Sequence, residues 1–140
     1  MSIIKSVKNY LESCPNFAGK TVNINYLPSE RGSFSIENVP KNPVVKRYSD
    51  GECLMQFCFL IAGRIVYDRD VLENLRISQF FEEFESWIEA QNSAKKLPDL
   101  SDLGFTAEAI EVTNSGTLYD TARTSARFQT ELRLLYKKKN

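Results

Sequence analysis

The apolar side chains of this sequence are densest near its middle, where we predict a central β-strand. Between residues 53 and 63 the odd and the even positions are both mostly apolar, and Gln56 is the one polar side chain. A strand that is apolar on both sides is typical of the interior of a sheet that is covered on both faces. The run is too short to span a bilayer, which needs roughly 20 apolar residues.

An Asp50-Gly51 pair directly precedes this run. The residues of the run would also suit a buried helix, but Asp-Gly favours the two-residue turn of a β-hairpin and therefore a strand. We predict that residues 44 to 49 pair back onto the central strand through this turn. In that register Arg47 lies opposite Leu54.

Further strands are predicted where apolar and polar residues alternate. Residues 21 to 27 form a half-buried strand that turns Val22, Ile24 and Tyr26 to one side. Residues 33 to 39 form a more exposed strand, and the prolines that follow keep its edge from pairing freely. The longest alternating stretch, from 125 to 137, has six residues that face the core: Ala126, Phe128, Thr130, Leu132, Leu134 and Tyr136.

A polar stretch separates the last two predicted strands. Residues 107 to 113 form a strand, which Asn114-Ser115-Gly116 ends. Residues 114 to 124 are polar apart from Leu118 and Tyr119, and we predict an exposed arm there. The alternative is a hairpin whose tip folds back on its own sheet. Exposed apolar side chains on a polar arm often anchor a partner protein.

Two segments have apolar residues at helical spacing. The first begins after Ser2, which can cap it, and Pro15 ends it. The second begins near Asp70, and Ser78 divides it into a short helix and a main helix from about 78 to 92. Four glutamates lie on the polar side of the main helix: Glu82, Glu83, Glu85 and Glu89.

The order of these elements is one helix, three or four strands, a second helix and two strands. That order predicts a single α+β domain over residues 1–140, with a mixed, mainly antiparallel sheet of about five to six strands and two amphipathic helices packed on it. The chain ends in a basic tail, residues 137–140.

The composition narrows the possible functions. Lysine and arginine number 18, as do aspartate and glutamate, and this balance argues against a domain that binds by neutralising phosphates. Because there is no histidine, a Ser-His or Cys-His nucleophile is excluded, as is the commonest zinc ligand. No glycine-rich phosphate loop is present. The three cysteines are interpreted as buried free thiols. We expect no metal, no cofactor, no membrane segment and no small-molecule substrate.

Several motifs occur in a characteristic order along nearly the whole chain. They are Ser2-Ile3-Ile4-Lys5-Ser6-Val7 and Tyr10-Leu11, the segment 80 to 92 (FFEEFESWIEAQN), Leu97-Pro98-Asp99-Leu100, the segment 115 to 120 (SGTLYD), the segment 124 to 129 (TSARFQ), and Arg133-Leu134-Leu135-Tyr136. In this order they resemble the small minor capsid proteins of tailed phages and prophages of Gram-positive bacteria. The motifs are structural rather than catalytic.

The resemblance implies a function in virion assembly. A protein of this kind is similar to the tail terminator, or tail completion protein. The resemblance implies a subunit that forms a ring, with a hexamer expected. This ring would cap the tail tube and dock to the head connector. The implied location is the head–tail junction of the virion, reached from the cytoplasm of the bacterial host during assembly, and the implied role is structural rather than enzymatic.

A ring of identical subunits needs two different, complementary patches on each subunit. The acidic candidates are the four helix glutamates. The basic candidates are Arg127 and Arg133, on the outward side of the last strand, together with the basic tail. We hypothesise that these patches meet between neighbours, because charge complementarity sets register.

Two other functions compete with this interpretation. One is an enzyme that uses carboxylates alone, for which Asp50, Glu52 and Asp120 are the candidates. The other is a small soluble binding module of the host, with a nucleic-acid reader as its special case.

Overall fold

The structure, a computed structural model, describes residues 2–17, 22–26, 34–66, 71–121 and 125–138. For residues 16, 64–66, 71–78, 115–121 and 125–128 it describes the course of the backbone alone. The helices are α1 (Ile3–Glu12) and α2 (Val71–Ser93), with short 3-10 turns at Pro15–Phe17 and Ser101–Leu103. The strands are β1 (Val22–Ile24), β2 (Phe34–Asn38), β3 (Val44–Arg47), β4 (Cys53–Val66), β5 (Phe105–Thr121) and β6 (Ser125–Lys138).

These strands form one open, mixed sheet, so the predicted α+β class is confirmed. The strand order is β1-β2-β4-β6-β5, and β3 pairs with β4 beyond the end of β2. Only β1 and β2 run parallel; the other pairs are antiparallel. β4 has partners on both sides and pairs with β6 from Cys53 to Val66, which confirms the predicted central strand.

The hairpin before β4 differs from the predicted register by one residue. Arg47 lies opposite Cys53, not Leu54. Tyr48 donates its backbone N–H to Glu52 O at 2.9 Å, so the loop contains three residues rather than two. Its last residue, Gly51, has φ of 92°, which a three-residue loop needs and glycine adopts without strain.

The helices cover one face of the sheet. The main core joins Phe59 and Ile61 of β4 to helix residues such as Leu11 and Phe84. Leu60, on the other face of β4, lies outside this core and is half-buried. The described helices therefore cover one face only. Burial on the second face is partial, because Cys58 and Ala62 are buried there beside half-buried Leu60, so the prediction that both faces are covered holds only in part.

The N-terminal helix has the predicted ends. Ser2 Oγ accepts a hydrogen bond from Lys5 N at 3.3 Å and caps α1, while Pro15 begins the following 3-10 turn. The prediction that Ser78 divides the second helical segment is wrong. α2 is continuous from Val71 to Ser93. A serine can cap a helix, but the apolar stripe continues through this position and favours one helix.

Three strands differ from the sequence predictions. β2 is not exposed: it lies between β1 and β4, and Phe34, Ser35 and Ile36 are all buried. β1 lies at the edge of the sheet and buries Val22 but leaves Ile24 exposed. β5 does not end at residues 114–116; bulges there shift its register and the strand continues.

The cysteines are free thiols, as predicted. Cys14 and Cys58 are buried, whereas Cys53 is half-buried.

Candidate interaction surfaces

The acidic residues predicted from the sequence lie together on α2. Glu82, Glu83 and Glu89 are exposed, and Glu85 is half-buried, with an Oε1 atom that has no hydrogen-bond partner among the described residues. An open groove between Gln79, Glu82, Glu83, Ser86 and Trp87 runs along this side of the helix. We call the exposed Glu82, Glu83 and Glu89, with this groove, the acidic α2 face.

A single asparagine fixes α2 against β5. The Asn92 side chain donates to Ile110 O at 2.6 Å and accepts from Ile110 N at 2.9 Å. Ile110 therefore turns both of its backbone groups away from β6, as every second residue of an antiparallel strand does. The Asn92 amide satisfies them in place of a further strand. This clamp fixes the C-terminal end of α2 on β5, whereas Phe80, farther back in the helix, stacks on Phe34 of β2 at 5.7 Å between ring centres.

A tyrosine of α1 also contacts α2. The Tyr10 ring lies against Trp87, with a distance of 5.3 Å between the ring centres, and its hydroxyl donates to Lys96 O at 2.7 Å. Burial, together with the nearby Cys14 thiol, raises the pKa of Tyr10 to about 12. The phenol is therefore held neutral in the folded protein well above the usual tyrosine pKa.

We expect Tyr10 to make the fold sensitive to alkali. The folded state keeps the proton between pH 10 and 12 while the unfolded chain loses it, so the free energy of unfolding should fall as pH rises through this window. The loss is about 1 kcal/mol, discounted for the partial exposure of the ring.

Denaturant unfolding at several pH values measures this loss. Tyr10→Phe should be less stable at neutral pH by about 1 kcal/mol, since it lacks the hydrogen bond to Lys96, and should lose less stability in alkali than the wild type. Equal alkaline slopes for the two proteins would show that another group is responsible.

The basic row predicted on β6 is partly neutralised within the chain. Arg133 Nε lies 2.7 Å from Glu111 Oε2 on β5, and another guanidinium nitrogen donates to Gln56 Oε1 at 3.4 Å. Lys137 lies 3.8 Å from Glu108. Because its charge is already paired, Arg133 is a weaker candidate for binding a neighbouring subunit than the sequence indicated.

Two other members of the predicted basic patch are described less fully. Register places Arg127 between Arg64 on β4 and Tyr119 on β5, but its side chain lies outside the described residues. Lys138 is exposed, and residues 139 and 140 lie outside the description.

The predicted arm is part of the sheet. β5 pairs with β6 as far as Thr121, with Leu118 opposite Phe128 and Tyr119 opposite Arg127. The backbone from 114 to 121 is therefore a strand of the sheet rather than a separate arm, and the alternative, a tip that folds back on its own sheet, concerns residues 122–124, which lie outside the described part. The side chains of Leu118 and Tyr119 lie outside the described part, so their role as an anchor stays a prediction.

A surface that the sequence analysis missed lies at the opposite edge of the sheet. All four large apolar side chains that are exposed among the described residues belong to the β1 and β3 side: Ile24 (38%), Tyr26 (65%), Val45 (43%) and Tyr48 (36%). Three exposed cations accompany them, Lys41, Lys46 and Arg47. We call these seven residues the basic edge. The sequence feature that could have indicated this surface is the stretch from 38 to 49, which has three lysine or arginine residues and no aspartate or glutamate.

The carboxylates considered for an enzyme are far apart. Asp50 and Glu52 belong to the hairpin loop beside Cys53, where Asp50 Oδ1 accepts from Glu52 N at 3.0 Å. Asp120 is next to Thr121, which pairs with Ala126, and Ala126 pairs with Ile65 at the other end of β4. The distance along β4 is more than about 30 Å, so these groups do not share a site.

Comparison with known proteins adds no identification: no protein-family model matches the chain, and neither does any curated protein. Within the described residues, no three histidine, cysteine, aspartate or glutamate side chains are grouped so that they could hold a metal ion. None of the described helices is both long and apolar enough to cross a membrane.

Proposed function

We propose that the chain is a structural protein of a tailed phage or prophage, of the minor capsid or tail terminator kind. Copies of it form a ring at the head–tail junction, with a hexamer expected. The ring caps the tail tube on one side and docks to the head connector on the other. The protein performs no enzymatic reaction in this role.

The observation that carries the proposal is the convergence of the motifs behind the resemblance. The helix segment 80–92 packs across the sheet, from Phe34 of β2 to β5, where Asn92 clamps it. Leu100 of the next motif is buried in the same core, as are Leu134 and Tyr136 of the last one. Motifs from both ends of the chain thus form one packed unit, since Val7 of the first motif is buried in the same core, as expected if they specify a shared subunit architecture.

Deletion of the gene from the phage or prophage that carries it is the direct test. We expect separate heads and tails in electron micrographs, because no ring closes the tail tube, and a plasmid copy should restore joined particles. Joined, infectious particles in the absence of the gene would refute the proposal.

The same complementation assay separates the structural role from its rivals. A copy with Asp50→Asn and Glu52→Gln should complement fully, whereas a carboxylate enzyme that depends on them would fail. A copy with Leu118→Ser and Tyr119→Ser should fold but fail to join heads to tails if these residues anchor a partner. Substitution is preferable to deletion of residues 116 to 122, because β5 pairs with β6 through this stretch.

A further inference from the structure

We propose that the basic edge of one copy docks on the acidic α2 face of a second copy, which gives a head-to-tail contact between identical subunits. The inference rests on the proposed function, because it names the surfaces by which copies would join into the ring. It replaces Arg127 and Arg133 with a different set of cations.

The basic edge has the composition of a contact surface. Among the described residues, exposed large apolar side chains occur at this edge alone. Lys46 Nζ lies 5.2 Å from the centre of the Tyr48 ring. Aromatic residues and arginine are enriched in the cores of interfaces. The described ion pairs do not include Lys41, Lys46 or Arg47, in contrast to Arg133 and Lys137. These three cations are thus available to a partner.

The backbone of the β3 part of this edge disfavours pairing with another strand. The register of β3 shifts between Val44 and Lys46, so Val45 is an extra, bulged residue. Pro40 and Pro43 precede it and have no N–H to donate. A partner is therefore expected to bind through side chains, and the charges of the edge call for an acidic surface with apolar groups in it.

The acidic α2 face meets that description. From residue 79 to residue 93 the helix has four glutamates and no lysine or arginine. Its groove is lined by Trp87, whose ring can take an apolar or a cationic side chain. Glu82 and Glu89 are two helical turns apart on the exposed side, and no described ion pair includes them. The two surfaces thus carry opposite charges, and half-buried Trp87 gives the acidic α2 face an apolar group beside its glutamates.

The two surfaces lie on different parts of the subunit. The basic edge belongs to β1 and β3, at one end of the sheet, whereas the acidic residues lie on the exposed side of α2. α2 crosses the sheet from β2, where Phe80 stacks on Phe34 at 5.7 Å between ring centres, to β5, where Asn92 binds Ile110. No ion pair among the described residues joins one surface to the other, so each is left for a second copy. Such a pair produces a heterologous contact, which closes into a ring when the rotation permits.

A charge-swap experiment tests this contact. One variant has Lys46→Glu and Arg47→Glu, and the other has Glu82→Lys and Glu89→Lys. Sedimentation velocity of the purified full chain at low salt should show self-association of the wild type, weakened at least about tenfold in each variant. An equimolar mixture of the two variants should associate again, because each then offers the other a complementary surface. The chain with all four substitutions should also associate.

Matched controls are Lys5→Glu and Asp102→Lys, which reverse exposed charges away from both surfaces. They should associate as the wild type does, and circular dichroism should show that all variants are folded. A wild type that stays monomeric at its highest soluble concentration overturns the proposal, as does a mixture that fails to restore association.

The outcome for this contact is separable from the outcome for the proposed function. If gene deletion abolishes head–tail joining but the charge-swap variants associate as the wild type does, the contact is wrong and the function stands. If the swaps behave as expected but deletion leaves joined particles, the contact stands and the function is wrong.

Discussion

Replacement of Phe17 by alanine should lower the free energy of unfolding by about 3–5 kcal/mol, which is a large part of the stability of a typical domain. Phe17 is 1% exposed. Its ring makes edge-on contacts with Phe34 at 4.8 Å, Phe84 at 5.6 Å and Phe80 at 5.7 Å between ring centres. The substitution leaves a cavity where the turn after α1, strand β2 and helix α2 meet.

Urea unfolding followed by circular dichroism measures this loss. Phe17→Leu is the matched control, because it keeps most of the volume and should lose about half as much or less. Tyr26→Ala removes a comparable ring from an exposed position and should change the stability by about 0.5 kcal/mol at most. A Phe17→Ala protein as stable as the Tyr26→Ala protein would contradict the described core.

Replacement of Asn92 by alanine should cost about 2–4 kcal/mol, because it removes two hydrogen bonds and leaves the N–H and C=O of Ile110 without partners. Ile110 is 1% exposed, so water cannot easily replace the amide. The substitution also opens the edge of β5. Exposed, unpaired strand edges template association between chains, so we expect the variant to aggregate more readily.

Two measurements check this prediction. Urea unfolding gives the stability, and amide hydrogen exchange at Ile110 should become faster in Asn92→Ala than in the wild type. Gln91→Ala, at the half-buried neighbouring position, is the control and should leave Ile110 exchange unchanged. Asn92→Asp keeps the acceptor for Ile110 N but loses the donor to Ile110 O, so it should also be destabilised. If the Ile110 amide exchanges at the same rate in Gln91→Ala and Asn92→Ala, the side chain of Asn92 does not form the clamp.

The candidate surfaces show how far a sequence predicts an interface. The acidic residues were predicted correctly as exposed, apart from half-buried Glu85, because helical periodicity alone separates Phe84 and Ile88 from the glutamates. The basic partner was harder to predict. Arg133 faces away from the helices, as alternation indicated, but its partner Glu111 is 22 residues away on another strand. Alternation predicts the face of the sheet on which a side chain lies. It does not predict which residue lies beside it on the neighbouring strand.

Local patterns in the sequence determined the elements themselves: the capped first helix, the central strand, the last strand and the α+β class. Each depends on spacing within a few residues, which side-chain geometry converts directly into helix or strand.

The tertiary structure alone decided which strands lie at the edges, the hairpin register and the one face that the helices cover. It also decided that exposed apolar and basic residues of β1 and β3 share one edge of the sheet. These features arise from pairings between residues distant in the chain. Ile24 and Val22 alternate alike on edge strand β1, yet Val22 is buried and Ile24 is exposed, because the tertiary packing covers only one of them.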